Sequence, residues 1–168
     1  MIFLKFLYNF IVYSILGFLF ETGLFAVLRK DFNSGFTFGP YTIVYGISLA
    51  IMFVIFKFVF KHIQNKYTKY IVSFALSFIV ISLLEFSGGM FIEKIFGIVY
   101  WDYSEYPLTF YKYVNVFVSL FWSIASILIF KFVFPLTNKI FKYIKEWMII
   151  TMTALILVDV FFSVISKL

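Results

Sequence analysis

The chain has 168 residues, of which 64% are hydrophobic and only 13% charged, and it contains 27 Phe, 12 Tyr and no cysteine. Soluble domains are about half apolar, so this composition, with a mean hydropathy of +1.04, excludes a soluble protein and points to a bilayer; the missing cysteines exclude disulfides, thiol catalysis and thiolate metal sites. The formal charge of +6 implies no nucleic acid, because the 14 cations, all lysine except Arg29, sit mostly between apolar runs, as membrane topology alone requires.

The apolar runs are continuous rather than alternating, and several reach the ~20 residues a helix needs to cross hydrocarbon. Helices, not a closed barrel, are therefore expected. The first span, about residues 3–28, opens with MIFLKFLYNFIVYSILGF; it has no small-residue cleavage site and is read as retained. It leads into RKDFNSGFTFGP at 29–40, rich in glycine and aromatics. A second span at 41–60 ends in the lysine-rich KHIQNKYTK, and a third at 70–93 leads into KIFGIVYWDYSEYPLTFYKY. A fourth at 114–134 is followed by PLTNKIFKYIKE and a fifth at 147–166. The expectation is an all-α integral membrane protein, one transmembrane domain of five helices with irregular outer loops.

Lysines 5, 57, 61, 66, 69, 131, 139, 142 and 145 fall on the N-terminal side of this arrangement, against Arg29, Lys30, Lys94, Lys112 and Lys167 on the other. The excess predicts a multi-pass protein of the cytoplasmic membrane with its N-terminus inside and its C-terminus outside. The acids follow the opposite rule. Glu21, Glu85, Glu93 and Asp159 lie late in the odd-numbered spans, Asp31, Asp102 and Glu105 lie in the outer connections, and only Glu146 is on the inner side.

A charged side chain near the bilayer centre costs about 2.5–3.5 kcal/mol on insertion scales, so such acids must be neutral, paired or hydrated. Glu85, Gly89 and Glu93 recur at i, i+4, i+8 and share one side of a helix, and Gly88 and Gly89 would let a neighbouring backbone approach closely. The reading is a polar, outward-opening cavity formed by Glu21, Glu85, Glu93, Asp102 and Asp159 with Tyr103 and Ser104. Loop and backbone positions Gly39, Pro40, Tyr45 and Gly46 would cover it; Arg29, Lys94 and Lys112 are candidate counter-charges. In the competing reading the same acids are hydrogen-bonded or paired struts that tie the helices together.

Familiar catalytic sets are missing. His62, the one histidine, falls in a lysine-rich connection, which removes serine–histidine catalysis and histidine-based metal sites. No Walker A or Rossmann glycine pattern occurs, no cofactor is identifiable and no metal is specified. Paired carboxylates can do acid–base work, but no spacing identifies it here.

Tyr13-Ser14 with Gly17 and Glu21, Gly39-Pro40 with Tyr45-Gly46, Glu85 with Gly88 and Glu93, Trp101-Asp102-Tyr103-Ser104 with Pro107, and Ser119 with Trp122 form a recognisable set. Over about residues 8–124, with Asp159 and Ser163 as a tail match, the chain resembles a bacterial membrane family labelled putative ABC transporter permease, the CmpB-type or type IV group. It departs from that pattern at Phe18, Ile43, Thr109 and Lys112. The resemblance implies a transport component and an ATPase partner, although connections of a dozen residues or fewer, without a Glu-Ala-Ala type coupling motif, offer such a partner little to grip. The function expected is therefore a small transporter or permease-like subunit for a small cationic or proton-coupled solute, working as a homo-oligomer or with another membrane subunit. The alternatives are a membrane scaffold or regulatory subunit, and a carboxylate-dependent membrane enzyme acting on lipid or envelope substrate.

Overall fold

The computed structural model of the chain describes residues 2–27 and 36–168. Five helical spans are long and apolar enough to cross a membrane: α1 (Ile2–Val27), α2 (Ile43–His62), α3 (Lys66–Phe96), a fourth span over Val116–Phe141, and α6 (Glu146–Ile165). Between 11% and 33% of each span's most apolar stretch is buried inside the protein. The remaining apolar surface is what lipid would cover, as expected of helices that are hydrophobic on every side.

The ends of α3 show local sequence at work. Asn65 is the N-cap, its Oδ1 accepting from the backbone N–H groups of Tyr67 and Thr68 at 2.8 and 3.2 Å, which satisfies two of the first turn's orphan donors. At the other end Gly97 adopts φ 67° and donates its N–H to the Glu93 carbonyl at 2.9 Å, the left-handed C-terminal cap that glycine makes without a Cβ penalty.

The fourth span is composite. It consists of α4 (Val116–Leu128), a π-helical turn Ile129–Val133 and α5 (Phe134–Phe141). The sequence reading ends this span at 134, just before Pro135; helical structure instead continues through the proline. Proline lacks an N–H and its ring clashes with the carbonyl four residues back. The widened turn before it absorbs both defects, the Phe134 N–H donating to Ile129, five residues back rather than four. The connection to α6 shrinks to 142–145, and that between α2 and α3 to 63–65.

The chain forms two compact units. In the first, residues up to Ile51 and from Thr137 onward, α1 packs on α6 around Tyr8, Ile11, Tyr41, Ile149 and Ile156. The Tyr8 hydroxyl donates to the Thr137 carbonyl at 3.0 Å. In the second unit, Met52–Leu136, α3 packs along α4, and Phe56 and Phe130 meet edge-on with ring centroids 4.3 Å apart. A short antiparallel ladder, β1 (Thr109–Phe110) with β2 (Val114–Asn115), pairs Thr109 with Asn115 and leads directly into α4.

Candidate functional site

In the first unit, Ser14, Gly17 and Glu21 recur at i, i+3, i+7 on one face of α1. Gly17 lies against the Tyr45 ring, and a Cβ at Gly46 would overlap Ser14 Oγ and come within 2.6 Å of the Phe10 carbonyl oxygen. These glycines bring the two helices close enough for the Glu21 carboxylate to accept from the Tyr45 hydroxyl at 3.0 Å and the Thr42 hydroxyl at 3.2 Å. The Thr42 backbone N–H also donates to the Ser14 carbonyl at 3.0 Å.

Asp159 reaches the same short segment from α6. One carboxylate oxygen accepts from the Gly39 backbone N–H at 3.0 Å and from the Tyr41 hydroxyl; the other faces the Ser163 hydroxyl at 3.5 Å. Residues 36–42 fold on themselves to present these donors, the Thr37 hydroxyl donating to the Tyr41 carbonyl at 3.1 Å. Pro40, with φ set by its ring, separates the two residues that bind Asp159.

In the second unit, α3 turns Ser73, Ser77, Ile81, Glu85 and Gly89 inward at a constant spacing of four, and α4 answers with Ser119, Ser123 and Ser126. Ser126 donates to Ser77 at 2.6 Å, Ser82 to Ser119 at 3.1 Å, and Ser119 faces the Glu85 carboxylate at 3.5 Å. Small side chains let the helix backbones approach, and hydroxyls hydrogen-bond across them without burying an unmet polar group. Glu85, 9% exposed, is the one ionisable member of this seam.

Farther along α3, Gly89 lies under the Tyr113 ring, whereas the nearest atom to a Cβ on Gly88 is Trp101 Cη2 at 3.7 Å. The close approach expected of the glycine pair therefore belongs to Gly89. Glu93 pairs with Lys112 at 2.6 Å, beside an open cavity of about 470 Å³ that Phe86, Met90 and Tyr111 also line. Asp102 is exposed and accepts from the Ser104 backbone N–H at 2.8 Å. These Ser104 bonds hold its carboxyl below the usual aspartate range. The Tyr103 backbone N–H donates to the Lys112 carbonyl at 2.7 Å.

Of the expected site residues, Glu21, Asp159, Gly39, Pro40, Tyr45 and Gly46 fall in the first unit, and Glu85, Gly88, Gly89, Glu93, Asp102, Tyr103, Ser104 and Lys112 in the second. Lys94 is exposed in the last turn of α3, and Arg29 lies outside the described residues. Sequence reasoning missed Tyr41, Thr42 and the serines of α3. The four-residue spacing of Ser73, Ser77, Ile81, Glu85 and Gly89 was the available signal for the last of these. Among the described residues no group of three histidines or carboxylates is placed to hold a metal ion.

Five apolar spans, with buried polar side chains gathered on the faces where helices meet, define a multi-pass integral membrane protein. The chain belongs to the family described as Putative ABC-transporter type IV, whose model matches residues 8–166. The match runs through α4, α5 and α6, well past the residue 124 at which the continuous resemblance in sequence stops. No curated protein and no solved structure matches the chain. Membership in this family, with five candidate spans, makes the chain a membrane component of a transporter family.

Proposed function

We propose that the chain is a small transport subunit of the bacterial cytoplasmic membrane, N-terminus inside and C-terminus outside, that passes a small cationic or proton-coupled solute. The observation that carries this reading is the character of the partners of Glu21, Glu85 and Asp159. Among the described residues, these three carboxylates meet only neutral donors: Tyr45 and Thr42 for Glu21, Ser119 for Glu85, and Gly39, Tyr41 and Ser163 for Asp159. An uncompensated carboxylate at membrane depth requires a proton or a cation, and a site that can exchange one is what such a solute needs. Glu93, Asp102, Tyr103 and Ser104, with Lys112 as counter-charge, form the outer approach in this reading.

Five spans enclose little volume, so the subunit works as a homo-oligomer or with another membrane protein. With the N-terminus inside, the cytoplasmic connections are 63–65 and 142–145, which leaves an ATPase only helix ends and basic turns to grip. A single cysteine at position 104, in a chain that has no other, tests the orientation: it should react with an impermeant reagent from outside, and labelling from the cytoplasmic side alone would reverse the topology.

The decisive experiment compares the parent with Glu21→Gln, Glu85→Gln and Asp159→Asn in proteoliposomes, following proton movement and uptake of small cations beside thermal stability. Variants that melt like the parent but lose flux support transport. A second reading has its own support, since each carboxylate also ties one segment to another: Glu21 joins α1 to the start of α2, Asp159 joins α6 to residues 36–42, and Glu85 joins α3 to α4. If the variants lose abundance and melting temperature while the parent shows no flux, the acids are struts and the scaffold reading replaces transport.

A further inference from the structure

The end of the second unit away from its acids carries a different chemistry. Lys66 and Lys69 occupy the first turn of α3, and Lys131 sits in the π-helical turn after α4. The three lysines line one open cleft of about 260 Å³, whose inner wall is Phe60, Ile127 and Phe130. Gln64 and the Tyr70 side chain add neutral hydrogen-bonding groups at the rim. Lys69 is half-buried, its Nζ 5.7 Å from the Phe60 ring centroid, so this cation is held over the apolar wall.

Among the described residues no carboxylate is within ion-pair distance of these lysines. The first acid along α3 is Glu85, sixteen positions beyond Lys69 and therefore about 24 Å away at 1.5 Å per residue. The whole of Val116–Phe141 contains no Asp or Glu. Among the described residues the ion pair is Lys112 with Glu93, at the opposite end of α3. Lysines placed only to set topology would point separately into water. Here residues from two separate helical spans converge on one cleft.

The cleft has two parts: the cationic side chains of Lys66, Lys69 and Lys131, and the aromatic and aliphatic side chains of Phe60, Ile127 and Phe130. A free inorganic anion complements only the lysines. A phospholipid complements both, with phosphate on the lysines and acyl chain on Phe60, Ile127 and Phe130; a basic pocket between membrane helices is a recognised setting for anionic headgroups. We propose that this cleft binds one anionic phospholipid, Lys66, Lys69 and Lys131 holding its phosphate. The proposal is independent of the transport reading and of which side the N-terminus occupies. Net headgroup charge sets the preference: a phosphatidylglycerol leaves the lysines an unopposed anion, whereas the choline of a phosphatidylcholine cancels it.

The test is native mass spectrometry of the full chain released from detergent, with phosphatidylglycerol, phosphatidylcholine or inorganic phosphate added. The expected result is one retained phosphatidylglycerol, with no retained phosphatidylcholine and no competition by millimolar phosphate. Each of Lys66→Gln, Lys69→Gln and Lys131→Gln should weaken retention by roughly fivefold, the effect of one lysine near an anionic lipid. Lys66→Arg, which keeps the charge, should restore it. Lys139→Gln and Lys142→Gln, which remove equal charge elsewhere, should leave it unchanged. The melting temperature of every variant is measured alongside, and Lys131→Gln, which lies on a different span, carries the comparison if a Lys66 or Lys69 variant unfolds. Equal loss in the Lys139 and Lys142 variants would overturn the proposal in favour of a diffuse charge effect, and displacement by phosphate would overturn it in favour of a free-anion site.

Discussion

Tyr41 and Asp159 meet across 118 positions of sequence, the tyrosine hydroxyl donating to the carboxylate of α6, while the next residue, Thr42, donates to Glu21 of α1. Two adjacent residues are thus held by acids from opposite ends of the chain. The start of α2 is clamped between them by hydrogen bonds to carboxyl groups, each worth about 0.5–1.5 kcal/mol.

Tyr41→Phe removes one half of this clamp with little change of shape. We expect a loss of about 1–3 kcal/mol, read as a lowered melting temperature in detergent. In an Asp159→Ala background the same change should cost almost nothing, because its partner is gone. Simple additivity of the two substitutions would show that the contact does not couple them.

Gly88 and Gly89 are neighbours with different surroundings. A Cβ on Gly89 would come within 2.8 Å of Tyr113 Cγ, whereas on Gly88 it meets only Trp101 at 3.7 Å. Gly89→Ala should therefore cost about 1–3 kcal/mol through overpacking. Gly88→Ala should be neutral or gain up to about 1 kcal/mol of helix propensity. Equal melting temperatures for the two variants would contradict the assignment of the close approach to Gly89.

Ser77 and Ser126 are both buried and hydrogen-bonded at 2.6 Å. Interhelical bonds of this kind average about 0.6 kcal/mol and reach about 1.7. Ser77→Ala and Ser126→Ala should each fall in that range and, combined, cost less than their sum. Ser77→Leu should cost far more, since it pushes α3 and α4 apart.

Asn115 does two things with one side chain. Its Oδ1 accepts from Phe117 and Val118 at the start of α4, and its Nδ2 donates to the Pro107 carbonyl at 2.8 Å and to the Thr109 hydroxyl at 2.9 Å. Asn115→Asp keeps the cap and loses the donors, whereas Asn115→Ala loses both. The alanine variant should lose about 1 kcal/mol more than the aspartate variant, the usual worth of an N-cap, and proteolysis within 98–113 should rise in both.

Asp102 supplies a pH dependence. Its folded pKa is depressed below the ordinary 3.8 by its bonds to Ser104. The turn is thus favoured in full above 3.8 and loses that support as pH falls through the lower, folded value. Carboxyl carbon NMR of Asp102 should show a midpoint below 3.8, moving upward in Ser104→Ala. A midpoint that does not respond to that substitution would remove Ser104 as the cause.

Much of the architecture was written in composition and order. Long apolar runs without charge can satisfy their backbone only as membrane helices, so five spans follow, and Asn65 and Gly97 mark the ends of α3 by their own capping chemistry. The fourth span outran its expected end at 134 and continues through Pro135, a residue whose own properties disfavour a helix interior. Its tolerance depends on the π-helical turn before it, a feature of backbone hydrogen bonding that no residue type announces.

The sequence by itself determined that this is a helical membrane protein, that its acids cluster toward one end of the odd-numbered spans, and that Glu85, Gly89 and Glu93 share a face. Periodicity and hydropathy are properties of the chain alone. Only the tertiary structure decided that Asp159 answers to Tyr41, that Glu21 answers to Thr42 and Tyr45, and that Glu85 answers to Ser119. A partner distant in sequence is set by how helices rotate and approach one another, and small residues such as Gly46, Gly89 and Ser126 control that approach by what their side chains leave empty.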